Sequence, residues 1–120
     1  DWLWMAYMKM GKKQEAHAIL RYVDEDTPIH DCDIVYKYRV LLYKGVYSEE
    51  KFVSLIDDSD HLHSMSAYYA LANYRYHEKG DVKGAVELLD KVLAIPTHHH
   101  AFAYKFALLD RDKWAQELKN

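Results

Sequence analysis

Large apolar residues recur at helical spacing along most of this chain, and three glycines interrupt them. Leu3 and Tyr7, then Ile34, Tyr38 and Leu41, then Tyr69, Ala72 and Tyr76 each fall on one face of a predicted helix. Each set runs up to a glycine: Gly11, Gly45 or Gly80. Glycine enters the left-handed backbone region at low steric cost and so ends a helix readily. Behind each glycine a second apolar stripe begins: Ala16, Leu20 and Val23; Phe52, Leu55 and Ile56; Ala85, Leu89 and Val92. Pro28 and Pro96 then close the second stretch, because proline lacks the amide hydrogen that a helix needs. The pattern predicts an all-α chain of helical hairpins.

The hairpins repeat one another. Tyr7-x3-Gly11-x4-Ala16-x3-Leu20-x2-Val23 matches Tyr76-x3-Gly80-x4-Ala85-x3-Leu89-x2-Val92 at every interval. Gly45 lies 34 residues after Gly11 and 35 before Gly80, which makes one period of the three. The middle copy departs from the others. It has Glu50 where the small alanine is expected, and Ser54 and Asp57 at the next apolar sites. Its second helix is therefore expected to be short and rotated, packing through Phe52, Leu55 and Ile56, with the loop DDSDH absorbing the extra residue. A degenerate fourth copy is read from Phe102-x3-Phe106-x3-Asp110-x4-Ala115, with Asp110 in the glycine's place and Trp114 and Leu118 capping the stack. The units so defined are approximately 1–28, 31–62, 63–96 and 100–120. The chain starts at Asp1 and passes straight into Trp2-Leu3-Trp4 with no initiator Met. Together with a first unit short of one turn, this reads as a fragment of a longer array.

A 34-residue period, two helices per unit, and Gly, Ala and Pro at these spacings resemble the tetratricopeptide repeat. The likeness covers nearly the whole chain. The stretches WLWMAYMKMGKKQEAHAIL and VYKYRVLLYKGVYSEE together resemble the closing repeats of bacterial tetratricopeptide proteins. The resemblance implies a single domain over 1–120: an α-α superhelix of about three hairpins plus a C-terminal capping hairpin or helix. It also implies a concave groove lined by the first helix of each hairpin, where peptides or partner helices bind. Carried over position by position, the lining is Met5, Met8 and Lys9, then Arg39, Leu42 and Tyr43, then Tyr74, His77 and Glu78, with Tyr104 in the fourth unit. Aromatic and Arg side chains are frequent anchors, and Met adapts to irregular partners. The same tyrosines, among 11 in the chain, also serve such repeats as packing residues. The chaperone-tail subclass holds a carboxylate with Lys, Arg and Asn on successive first helices. The corresponding positions here, Asp1 and Met5, Val35 and Arg39, Ala67 and Ala70, contain one Arg and cannot form that cluster.

Composition narrows the reading without redirecting it. The 120 residues are half hydrophobic and 29% charged, which is globular composition with room for one modest core. The net charge is −3 with Lys and Arg scattered, which argues against a nucleic-acid partner. The longest apolar run, WLWMAYM, is too short to span a bilayer. A single cysteine, Cys32, excludes an internal disulfide and weakens a zinc site. Eight histidines occur, in DHLH, THHH, HDCD and elsewhere, but no cluster supplies four convergent ligands, so they read as surface histidines. YHEKG lacks the second histidine of a zinc protease, and no phosphate loop or nucleophile elbow is present. Acidic VDEDT and DDSD read as solvated loops with capping carboxylates. The sequence thus predicts a noncatalytic scaffold without cofactor or metal, binding a protein or peptide through the groove. Two alternatives stand beside it: a structural, self-associating segment of a longer array, and an accessory module of an enzyme whose catalytic part lies elsewhere.

Overall fold

A computed structural model describes residues 2–28 and 34–119. These form seven α-helices: α1 (Trp2–Lys9), α2 (Lys13–Ala18), α3 (Ile34–Lys44), α4 (Glu49–Ser54), α5 (His61–His77), α6 (Val82–Leu93) and α7 (Phe102–Lys119). A single 3-10 turn, Ile19–Tyr22, extends α2. Among the described residues there is no strand, so the chain is all-α. It divides into two compact units, Asp1–Leu55 and Ile56–Asn120.

The three spaced glycines do end helices. Gly11, Gly45 and Gly80 have φ of 75°, 84° and 64°. The amide that follows each glycine turns back to a carbonyl in the last turns of the helix: Lys12 to Tyr7 at 2.8 Å, Val46 to Leu41 at 3.0 Å, Asp81 to Arg75 at 2.9 Å. These bonds occupy carbonyls that a helix end leaves without an intrahelical donor. Second helices then start on side-chain caps where the sequence provides them. Ser48 Oγ accepts from the Lys51 amide at 3.1 Å to start α4, and Asp81 Oδ1 accepts from the Gly84 amide at 2.9 Å to start α6.

In the first unit α1 packs on α2, while α3 packs on α4 and on the 3-10 turn. The core is built from Trp4, Met5, Met8, Ala16, Leu20, Leu41, Leu42 and Phe52. Trp4 and Tyr43 stack face to face, 3.7 Å between centroids and 6° between planes. Lys44 Nζ donates to the Val23 carbonyl at 3.0 Å and Lys37 Nζ to that of Glu25, which ties α3 to the segment after the 3-10 turn. One expectation is corrected here. Leu3, read as part of the inner stripe, is 51% exposed, and the buried face of α1 runs through Trp4, Met5 and Met8. A Trp buries more apolar area than a Leu, so α1 orients to bury Trp4 rather than its neighbour.

In the second unit α6 lies against both α5 and α7. Ala67, Ala70, Ala72, Ala85, Ala103 and Ala107 are all buried, and their small side chains let the helices approach closely. The fourth copy is not a hairpin. α7 is one 18-residue helix, and Asp110 sits within it rather than at a turn. Its carboxylate Oδ2 accepts a hydrogen bond from Tyr69 Oη at 2.7 Å. Two turns further along both helices, Tyr76 Oη donates to Glu117 Oε1 at 2.5 Å. Both pairs are 41 residues apart, so α5 and α7 run parallel in constant register.

Candidate functional site

The ten residues placed on the groove separate by burial. In the first unit, Met5, Met8, Arg39, Leu42 and Tyr43 are buried and only Lys9 is exposed. Arg39 is fully enclosed. Its guanidinium carbon lies 5.1 Å from the Trp2 ring centre and 5.2 Å from that of Tyr36. Nε donates to Tyr43 Oη at 3.4 Å, and Nη2 meets Met5 Sδ at 3.8 Å. The surrounding aromatic faces and thioether give Arg39 cation–π and dispersion contacts within the packed interior. These five side chains thus form the interior of the hairpins rather than a surface.

In the second unit, Tyr74, His77 and Glu78 come together at the C-terminal end of α5, all half-buried. Lys79 Nζ lies 5.5 Å from the Tyr74 ring centre. The His77 ring meets Tyr76 edge-on at 4.9 Å and Trp114 at 6.3 Å. Tyr76 in turn stacks on Trp114, 4.2 Å apart and 9° from parallel. Partial burial and the Glu117 carboxylate push the Tyr76 phenol up to about 12, so it remains a protonated donor at neutral pH. Tyr104 belongs elsewhere. It stacks on His99 at 4.2 Å, and the register of α7 on α5 puts it level with residue 63, about 16 Å along the axis from Tyr74.

A shallow cavity of about 390 Å³ lies at that other end of the unit, lined by Asp58, His61, Ser64, Tyr68, Lys91 and Ile95 among others. Tyr68 Oη donates to Asp58 Oδ1 at 2.8 Å, and Lys91 Nζ lies 5.0 Å from the Tyr68 ring centre. Desolvation, then the Asp58 carboxylate, raise the Tyr68 phenol to about 12. His61 Nδ1 is bonded to Thr97 Oγ1 at 2.7 Å. The phenol is held neutral as a donor, so the cluster is a polar hydrogen-bonding surface and not an activated nucleophile.

The acidic loop DDSD contributes a cap, with Asp60 Oδ1 accepting from the His63 amide at 3.1 Å. Among the described residues, no group of three or more His, Cys, Asp or Glu is placed to hold a metal ion. Cys32 and the HDCD run fall outside the described residues. No helix of the described residues is long and apolar enough to cross a membrane.

Sequence reasoning passed over the polar contacts that join α5 to α7. Their signal is present: Ala103, Ala107, Asp110 and Trp114 are spaced i, i+4, i+7, i+11, so one carboxylate stands inside an otherwise apolar stripe. Comparison with known proteins finds no matching family model, curated protein or solved structure. The class is set by the fold alone: an all-α protein whose helices pair across glycine turns.

Proposed function

We propose that the chain is a noncatalytic interaction scaffold of the tetratricopeptide type, holding a protein or peptide segment against the first helices of its hairpins. One observation carries this reading. The three glycines at a 34- to 35-residue period all adopt positive φ, each between a longer helix and a second, shorter one. Within the reading, Lys9 is the exposed candidate of the first unit, and Tyr74, His77 and Glu78 at the end of α5 are the contact residues of the second. Their mixture of aromatic ring, imidazole and carboxylate suits a peptide that carries both apolar and basic groups. Met5, Met8, Arg39, Leu42 and Tyr43 are buried and fix the hairpins of the first unit.

Site-specific photo-crosslinking tests the proposal. A benzoyl-phenylalanine in place of Tyr74 is expected to capture a discrete partner. The same group in place of exposed Tyr22, on the 3-10 turn, is expected to capture little. Equal adduct yields at both sites, or none at Tyr74, would sink it.

A further inference from the structure

Among the described residues, eleven large hydrophobic side chains are conspicuously exposed, and five of them lie on α7: Phe102, Phe106, Leu108, Leu109 and Leu118. The packed face of that helix is Ala103, Ala107, Asp110 and Trp114. At 100° per residue, the direction opposite that face is occupied by Lys105, Leu108, Leu109 and Asp112, spaced i, i+3, i+4 and i+7. Leu108 and Leu109 are 47% and 68% exposed. Lys105 and Asp112, also exposed, stand one turn to either side of the leucine pair. Isolated exposed leucines are ordinary, but a stripe of them bracketed by opposite charges has a direction.

That order is self-complementary. A two-fold axis between residues 108 and 109 brings a second α7 alongside, antiparallel. Leu108 then faces the partner's Leu109, and Lys105 faces the partner's Asp112, twice over by symmetry. A parallel pairing would instead set Lys105 against Lys105 and Asp112 against Asp112. Phe102 flanks the pair and adds apolar area at its margin. We propose that α7 is the contact of an antiparallel, two-fold dimer, and that the partner on this stripe is a second copy of the chain. One helix pair buries less surface than a standard-size interface, so the association is weak and concentration-dependent. The stripe shares no residue with the contact face proposed on α5, so either proposal can fail without the other.

The pairing rule supplies the test. Sedimentation velocity over a concentration series is expected to show the wild-type weight-average mass rising from monomer towards dimer. Leu108→Glu/Leu109→Glu is expected to stay monomeric with an unchanged circular dichroism spectrum, because both side chains are exposed. Lys105→Glu alone and Asp112→Lys alone each set like charges face to face, and each is expected to weaken association roughly tenfold. An equimolar mixture of the two restores attraction at both contacts and is expected to form the heterodimer, as is the double swap its own homodimer. A wild type that stays monomeric throughout would assign the stripe to a different occupant and overturn the proposal. So would a dimer that survives Leu108→Glu/Leu109→Glu, or a mixture that fails to recover association.

Discussion

A carboxylate that faces the core from the middle of a helix needs a donor, and Asp110 has one in Tyr69 Oη at 2.7 Å. Removing that hydroxyl leaves a buried acceptor with one partner fewer, while the ring still fills its space. Tyr69→Phe is therefore expected to cost about 1.5–3 kcal/mol, the range for hydrogen bonds to charged groups, measured by urea unfolding. A loss below a few tenths would mean that the bond contributes nothing net. The glycine turns make a different prediction. A Cβ at Gly80 meets nothing within 4 Å, so the cost of Gly80→Ala comes from backbone conformation at φ +64° and not from a clash. It is expected to be about 1–2 kcal/mol, with Gly80→Asn recovering part of it, since Asn tolerates the left-handed region. At Gly84 the situation reverses. An added Cβ would lie 2.2 Å from Asp81 Oδ2, so Gly84→Ala must displace the carboxylate that caps α6. The gain in helix propensity and the loss of the cap are both about 1 kcal/mol, and near-neutral stability is expected.

At the scale of elements, α5 carries three phenols held by carboxylates outside its own helix: Tyr68 by Asp58, Tyr69 by Asp110 and Tyr76 by Glu117. Desolvation, then the carboxylate partner, raises Tyr68 and Tyr76 to about 12, above the ordinary tyrosine value of 10. A group whose folded value is raised stabilises the fold fully below its unfolded value and loses that contribution as pH rises through the folded one. Stability from these two bonds is thus complete below about pH 10 and declines between about 10 and 12. Absorbance titration at 295 nm is expected to place Tyr68 and Tyr76 among the late-ionising tyrosines. Tyr68→Phe and Tyr76→Phe should each remove one of them. A single transition for all tyrosines at about 10 would refute this.

Much of the element order is legible in the chain. The helix ends at Gly11, Gly45 and Gly80, the shortness of α4, and the close of α6 before Pro96 all follow from local backbone chemistry. The helix faces are less legible. A one-position error at Leu3 against Trp4 turned the reading of α1, and with it the assignment of Met5 and Met8 to an open lining. The spacing of Phe102, Phe106 and Asp110 also imitated a glycine-bearing hairpin. α7 runs unbroken because it holds no glycine or proline, and Asp110 finds on α5 a partner that no local pattern encodes.

For the whole molecule, the division into units 1–55 and 56–120 makes a folding prediction. The second unit contains three mutually packed helices with its own aromatic and alanine core. Expressed alone as residues 56–120, it is expected to be helical and to melt in one cooperative transition, though a domain of this size is marginal. Within that fragment Tyr76→Phe removes the hydroxyl bonded to Glu117 but keeps the ring stacked on Trp114. A drop in Tm of about 4–8 °C is expected for each kcal/mol lost. A fragment without a cooperative transition would mean that this unit depends on the remainder of the chain.

What the sequence determined by itself is the all-α class and the rhythm of helix, glycine turn and helix. Those are properties of short stretches: the glycine backbone, proline's missing donor and side chains repeating at 3.6 residues per turn. Tertiary structure alone decided which face of each helix is interior. It enclosed Arg39 among Trp2, Tyr36 and Tyr43, and it paired Asp110 of α7 with Tyr69 of α5. It also left the leucines of α7 facing outward between a lysine and an aspartate. These outcomes depend on which distant surfaces meet, because the area buried and the polar groups satisfied are shared by two helices and are written in neither one alone.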